Sequence, residues 1–188
     1  MMPDNDTIIA HTRQWLEKAV IGLNLCPFAK APYVKGQVRI AVCRAKHLDG
    51  LLTDLDTELQ LLLNTPAETV ETTLLVIAGL YEDFLAFNDM LDVAEAALAD
   101  NHAEGVIQIA PFHPDFYFED TSPTDISNRT NQSPYPTLHL IRESSIDKAV
   151  AAFPDAEAIF GRNIALLESM GQAGWDALGI PYPHQSKG

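Results

Sequence analysis

Residues 72–78 (TTLLVIA) form a continuous run with no charged side chain. A run this short is below the length of a buried helix, so it reads as a central strand covered on both faces. Such a strand demands a packed layer above and another below it. The chain has 188 residues, 47% of them hydrophobic and 20% charged, which is enough material for both layers in a single domain.

The flanking segments supply those layers. Ile8, Thr12, Trp15, Leu16, Ala19, Val20 and Leu23 recur at three- and four-residue steps, predicting a helix over 6–21 closed by Gly22 as a C-cap glycine. Residues 23–36 carry Pro27, Pro32 and Gly36 and read as a structured loop with a helical turn beginning at Pro27. Val38, Ile40 and Val42 alternate with Arg39, Ala41 and Cys43, the pattern of a half-buried strand. A leucine stripe from Leu48 to Leu63 predicts a helix that stops before Pro66, and a further helix is expected over 83–100. Gly105 opens a third strand over 106–110, and residues 137–142 alternate as a fourth. Ser144 and Asp147 resemble a capping box for a helix running to Phe153, and a last helix spans 155–170, closed by Gly171. The expected architecture is one α/β sandwich over 1–171 with a four-stranded parallel or mixed sheet, followed by a tail over 172–188. A ferredoxin-like α+β arrangement is the alternative.

One stretch breaks the alternation. Residues 112–135 have no strand or helix period, yet they hold Phe112, Phe116, Tyr117, Phe118 and Tyr135 among Pro, Ser, Thr, Asn and Asp. Loops of that length in a compact domain are usually functional or disordered, and the aromatic content favours an ordered loop over a cavity.

Charge narrows the partners. Twelve Lys and Arg face 26 Asp and Glu, a formal net charge of −14, a field that repels nucleic acid and anionic membrane surfaces. No apolar run approaches the roughly 18 residues that span a bilayer. Residues 1–12 lack the basic start of a secretory or transit peptide, and Cys26 and Cys43 are too few for a disulfide framework. The expectation is a cytoplasmic protein with two free thiols. Seven of the twelve bases lie within 11–46 beside the single acid Glu17; these charges either offset the acidic remainder across the fold or leave an anion-attracting surface near Cys26.

The nucleotide, hydrolase-elbow and zinc-ribbon signatures are missing, and no motif designates a cofactor. Three polar clusters remain. In Cys26-Pro27-Phe28-Ala29-Lys30, a helical turn starting at Pro27 would make Cys26 its cap, with Lys30 one turn away, an arrangement that favours thiolate; the plain reading is a packing cysteine. His113-Pro114-Asp115 follows the third strand, where open α/β sheets commonly bind ligands: a base with its orienting carboxylate, two metal ligands, or a histidine bonded to loop backbone beside a turn-capping aspartate. The third cluster is Arg129 and Asn131 in the long loop with His139 and Arg142 in the strand after it. His139 and Arg142 fall on opposite strand faces, and each needs a partner there or a ligand.

Together GLNLCPFA at 22–29, FHPD at 112–115 and NQSPYPTLHLIRE at 131–143 resemble the bacterial domain of unknown function 1415 family, from the first helix to about Gly171. The resemblance implies a stand-alone cytoplasmic bacterial protein and brings no assigned activity, cofactor or catalytic residue.

The leading expectation is an enzyme acting on a small anionic metabolite, with Cys26 as nucleophile or redox thiol, His113 as acid or base oriented by Asp115, and Lys30, Arg129, Asn131, His139 and Arg142 holding substrate. The alternatives are a metal site using His113, Asp115, His139 and Cys26, and a noncatalytic protein whose acidic helices meet a basic partner.

Overall fold

A computed structural model describes residues 1–184. Its strands are β1 (Val38–Cys43), β2 (Thr72–Ile77), β3 (Ile107–Phe112) and β4 (Thr137–Arg142). They form one mixed sheet in the order β1-β2-β4-β3. β1 and β2 are parallel, and β4 runs antiparallel to both β2 and β3. The first, second and third strands therefore point the same way and end on one edge. β4 reverses because a long loop, not a helix, connects it to β3; such a return can pair beside the strand it left, whereas a parallel neighbour needs a crossover. The alternation-based expectation of an α/β sandwich with a mixed sheet is the observed class, and the run over 72–78 supplies β2, one of the two interior strands.

Six α-helices are present among the described residues: α1 (Asn5–Trp15), α2 (Lys30–Val34), α3 (Leu48–Asn64), α4 (Phe84–Asp100), α5 (Glu143–Ala152) and α6 (Ala156–Asp176). Strand alternation sorts them to two faces. Leu75 and Ile77 of β2 and Leu138 and Leu140 of β4 join Leu51, Leu55, Leu59, Phe87 and Met90 in the core beneath α3 and α4. Leu74 of β2 packs instead with Trp15, Leu16 and Ala19, and Val76 with Ile8, beneath α1. Asp4, Asp83 and Asp155 cap α1, α4 and α6 by accepting backbone N–H bonds from Thr7, Ala86 and Ala158 at 2.8, 2.8 and 3.1 Å, which occupies donors left over in each first turn. Arg39 on β1 reaches across the α3 face to Glu58, at 2.7 and 3.0 Å.

The local departures from sequence expectation have identifiable causes. After Trp15 the first helix widens into a π-helical run, Leu16–Ile21. Gly22 that follows is not a left-handed cap: its φ is −60°, and a Cβ there would strike the carbonyls of Lys18 and Glu17. Glycine is required by close approach, not by backbone hand. The turn at Pro27 exists, with Ala29 N–H donating to the Cys26 carbonyl at 3.2 Å, but α2 begins only at Lys30. α5 starts directly after β4 with Arg142 at its N-cap and no side-chain cap, so Ser144 and Asp147 make no capping box. β3 extends through Pro111; as an edge strand it tolerates a residue with no N–H. Gly171, with φ 63° and ψ −176°, closes the helical run at the expected place, and a second helical segment follows it across a kink within α6; Trp175, Leu178, Ile180 and Tyr182 then pack into the α1-side core.

Candidate functional site

Two cavities divide the residues that the sequence singles out. The first is polar, about 590 Å³, and opens at the ends of β2 and β3, the edge on which three co-directional strands terminate. Its walls come from the segment after β2 (Glu82, Asp83, Phe84, Leu85), the long loop (Asp115, Tyr117, Pro123, Thr124, Asp125, Arg129, Gln132) and Gln172 of α6.

His113 ties two of these walls together. Its side chain is fully buried, with Phe84 and Phe87 at ring-centroid distances of 5.3 and 5.1 Å. The Asp115 N–H donates to His113 Nδ1 at 3.0 Å, so that nitrogen is unprotonated and Nε2–H donates to the Tyr81 carbonyl at 3.1 Å. Burial lowers the imidazole pKa and keeps this neutral tautomer. Tyr81 itself sits at φ 57°, a left-handed conformation that costs a non-glycine residue about 1–2 kcal/mol, and the His113 bond helps hold it there. The histidine thus positions the backbone of Asp115, the charge of Asp115 acts back on the ring by favouring its protonation, and Asp115 lines the cavity.

The long loop is ordered by its own polar groups. Buried Asn128 accepts from Phe118 N–H and Thr121 Oγ1 and donates to the Ser122 carbonyl, at 3.2, 2.9 and 2.9 Å. Gln132 donates to the Phe116 carbonyl at 2.8 Å. The 3-10 helix Ile126–Asn131 that carries Arg129 is capped by Asp125. Arg129 is then clasped from outside the loop: its guanidinium lies 5.4 Å from the Trp175 ring centroid and 5.5 Å from that of Tyr182, Nη2 donates to Gln172 Oε1 at 3.3 Å, and Nη1 is buried without a hydrogen-bond partner. Tyr182 is fixed by donating to the Gln132 carbonyl at 2.9 Å, and burial pushes its phenol pKa upward. Among the described residues Arg129 makes no salt bridge, although four carboxylates line the same cavity.

The second cavity is an apolar cleft of about 370 Å³ over the α1 face of the sheet. The π-helical run forms one wall through Leu16, Val20 and Ile21, α5 forms another through Ser145, Ile146 and Ala149, and Leu74, Ala110, Phe112, His139 and Ile141 form the floor. Cys26 lines it with Phe28 and Tyr33. The thiol is accessible to solvent, but the surrounding wall desolvates it and raises its pKa, an effect the backbone N–H groups of Phe28 and Ala29 only partly offset. The expectation of a depressed thiol is overturned, because no helix begins at Pro27 and Lys30 lies exposed at the start of α2. Cys43 is buried, and burial with Asp54 beside it pushes its thiol up to about 12.

His139 has a defined protonation state. Thr72 Oγ1 stands 2.8 Å from the Leu140 carbonyl and 2.7 Å from His139 Nε2. Two oxygens at 2.8 Å share the hydroxyl proton, so the ring must supply the other, and Nε2 carries hydrogen. Nδ1 is left as an acceptor. Burial lowers the pKa to about 4.

Asn131 and Arg142 both bond to the backbone of neighbouring segments. Asn131 accepts the His113 N–H on its carbonyl at 3.2 Å and donates from Nδ2 to the Pro111 carbonyl at 3.4 Å. Arg142 donates from Nη2 to the carbonyls of Thr65 and Val70, both at 2.7 Å, closing the connection between α3 and β2. Cys26 and His139 share the apolar cleft and Asp115 and Arg129 the polar cavity, and neither cavity holds residues of both pairs. Among the described residues no three His, Cys, Asp or Glu side chains gather where a metal ion could be held. Sequence reasoning passed over Trp175, Tyr182 and Gln172, which clasp Arg129; their signal was two aromatic residues in a segment read as a tail.

The sequence model for the family described as Protein of unknown function (DUF1415) matches residues 7–177, and the chain belongs to that family. No curated protein and no solved structure matches it.

Proposed function

We propose that this family member is an enzyme acting on a small metabolite held in the polar cavity, one that carries an anionic group together with a cationic one. The observation behind this reading is Arg129: a guanidinium immobilised between two aromatic rings and one amide, facing a cavity whose four carboxylates it does not pair with. A preset cation of this kind suits a carboxylate or phosphate, because a planar guanidinium recognises those groups without further ordering. The surrounding Glu82, Asp83, Asp115 and Asp125 disfavour a purely anionic ligand and favour one that also carries an ammonium group. Asp115, whose backbone is positioned by His113, is the carboxylate we assign to proton exchange with the ligand.

The test is thermal unfolding with an α-amino acid panel, inorganic phosphate, succinate and putrescine. Zwitterions should raise Tm most, since a native-state ligand at a hundredfold excess over Kd stabilises by about 2.7 kcal/mol. Arg129→Met should remove the shift, and Asp115→Asn should retain binding but lose turnover of the stabilising compound. Equal shifts with the Met variant, or no shift from any of the four classes, would discard the reading.

A further inference from the structure

The apolar cleft is a packing anomaly. Protein interiors fill space to crystal-like density, yet here about 370 Å³ stays open over a sheet face built from Leu74, Phe112 and Ile141. α5 shows the consequence: it has ten residues and an apolar inner side, and none of them is fully buried, because Ile146 and Ala149 border the opening. Small side chains keep it open on three sides, Ala29 from the loop, Ala110 from the floor and Ala149 from α5. The wall opposite is the π-helical run, a helix form uncommon in proteins and often found at functional sites. At the rim Phe28 packs edge-on against Phe153 at 5.5 Å, and Phe153 is 48% exposed.

We infer that this cleft is a second binding site, separate from the polar cavity, for a small, neutral, largely hydrocarbon molecule, with the Cys26 thiol beside the bound ligand. Its volume lies within the roughly 300–1,000 Å³ of small-molecule pockets, and its lining has their composition, apolar with a few fixed polar groups. Charge decides the ligand class. Among the described residues Glu71 is the only charged one in the lining, and it accepts a hydrogen bond from Ser145 at 3.3 Å; no cation among them stands there to receive a carboxylate or sulfate. His139 offers the floor a neutral acceptor at Nδ1, since its Nε2 proton is engaged by Thr72. An anion would lose its hydration against this surface and gain no partner. A neutral molecule with at most one donor loses little on entry.

Two fluorescent probes with the same aromatic skeleton separate the possibilities in the full-length protein. Neutral N-phenyl-1-naphthylamine should bind saturably at one site, and 8-anilinonaphthalene-1-sulfonate, which adds one negative charge, should bind at least about tenfold more weakly. At tenfold excess over Kd the neutral probe should slow alkylation of Cys26 by N-ethylmaleimide about tenfold, because only the unoccupied fraction reacts. Cys43, which is fully buried, should stay unmodified throughout. Ala149→Trp, and independently Ala29→Phe, should fill the cleft and abolish probe binding, while Val150→Trp on the exposed side of α5 should not. Arg129→Met should leave the neutral probe's affinity unchanged, so failure here is distinguishable from failure of the polar-cavity reading. Non-saturable uptake, tighter binding of the sulfonate, unprotected Cys26 at saturation, or normal binding to both filled and folded variants would overturn the inference.

Discussion

His139 should make the fold acid-sensitive well above the range in which carboxylates titrate. The ring lies on the cleft floor among Thr72, Phe112 and Leu74, and burial alone takes its pKa from an ordinary 6.5 to about 4. In the unfolded chain the imidazole binds a proton near pH 6.5, whereas the folded one stays neutral until about pH 4. Stability is therefore complete above 6.5 and falls as pH drops between these values. With 1.36 kcal/mol per pKa unit, the loss from this side chain is about 2 kcal/mol between pH 7 and pH 5, approaching about 3 kcal/mol below pH 4. His113, lowered in the same direction by burial, adds to the slope, so the assay must isolate one ring. Urea unfolding of wild type and His139→Gln at pH 7.5 and 5.0 does so, because the other groups titrate in both proteins. With an m-value of about 2 kcal/mol/M, the wild-type midpoint should fall by about 1 M more than that of the variant. Identical shifts in the two proteins, or an NMR titration placing His139 near 6.5, would refute a buried neutral imidazole.

Arg142→Met should destabilise by about 1–3 kcal/mol without altering binding in either cavity, since it strands the Thr65 and Val70 carbonyls that the guanidinium now satisfies; chemical denaturation read beside both ligand assays checks this. Gly22→Ala places a methyl carbon 2.7 Å from the Glu17 carbonyl oxygen and against that of Lys18, so the π-helical run must shift at a cost of about 1–3 kcal/mol. The melting temperature should fall, and the apolar probe should bind more weakly because Leu16, Val20 and Ile21 wall the cleft; unchanged values for both would show that the run is pliant.

Much of this molecule is legible in short stretches of its sequence, because burial and backbone period act locally. The uncharged run over 72–78 determines an interior strand, the Val38, Ile40 and Val42 alternation determines β1, and the leucine stripe determines the face of α3, each from side-chain spacing of two or of three to four. The aromatic and polar content of 112–135 already identifies an ordered loop, which lines the cavity at the strand ends. Spacing carries no information about strand direction across a loop, so only the tertiary structure reverses β4 and sets it between β2 and β3. The chemical assignments depended on that step. His113, readable as a base, becomes a buried strut once Phe84 and Phe87 close over it. Cys26 and Arg129 separate because one faces the α1 side of the sheet and the other the strand ends. The clasp on Arg129 needs Trp175 and Tyr182, more than forty positions away along the chain. Proximity of that kind is produced by packing a whole core, and a pattern read over a few residues does not contain it.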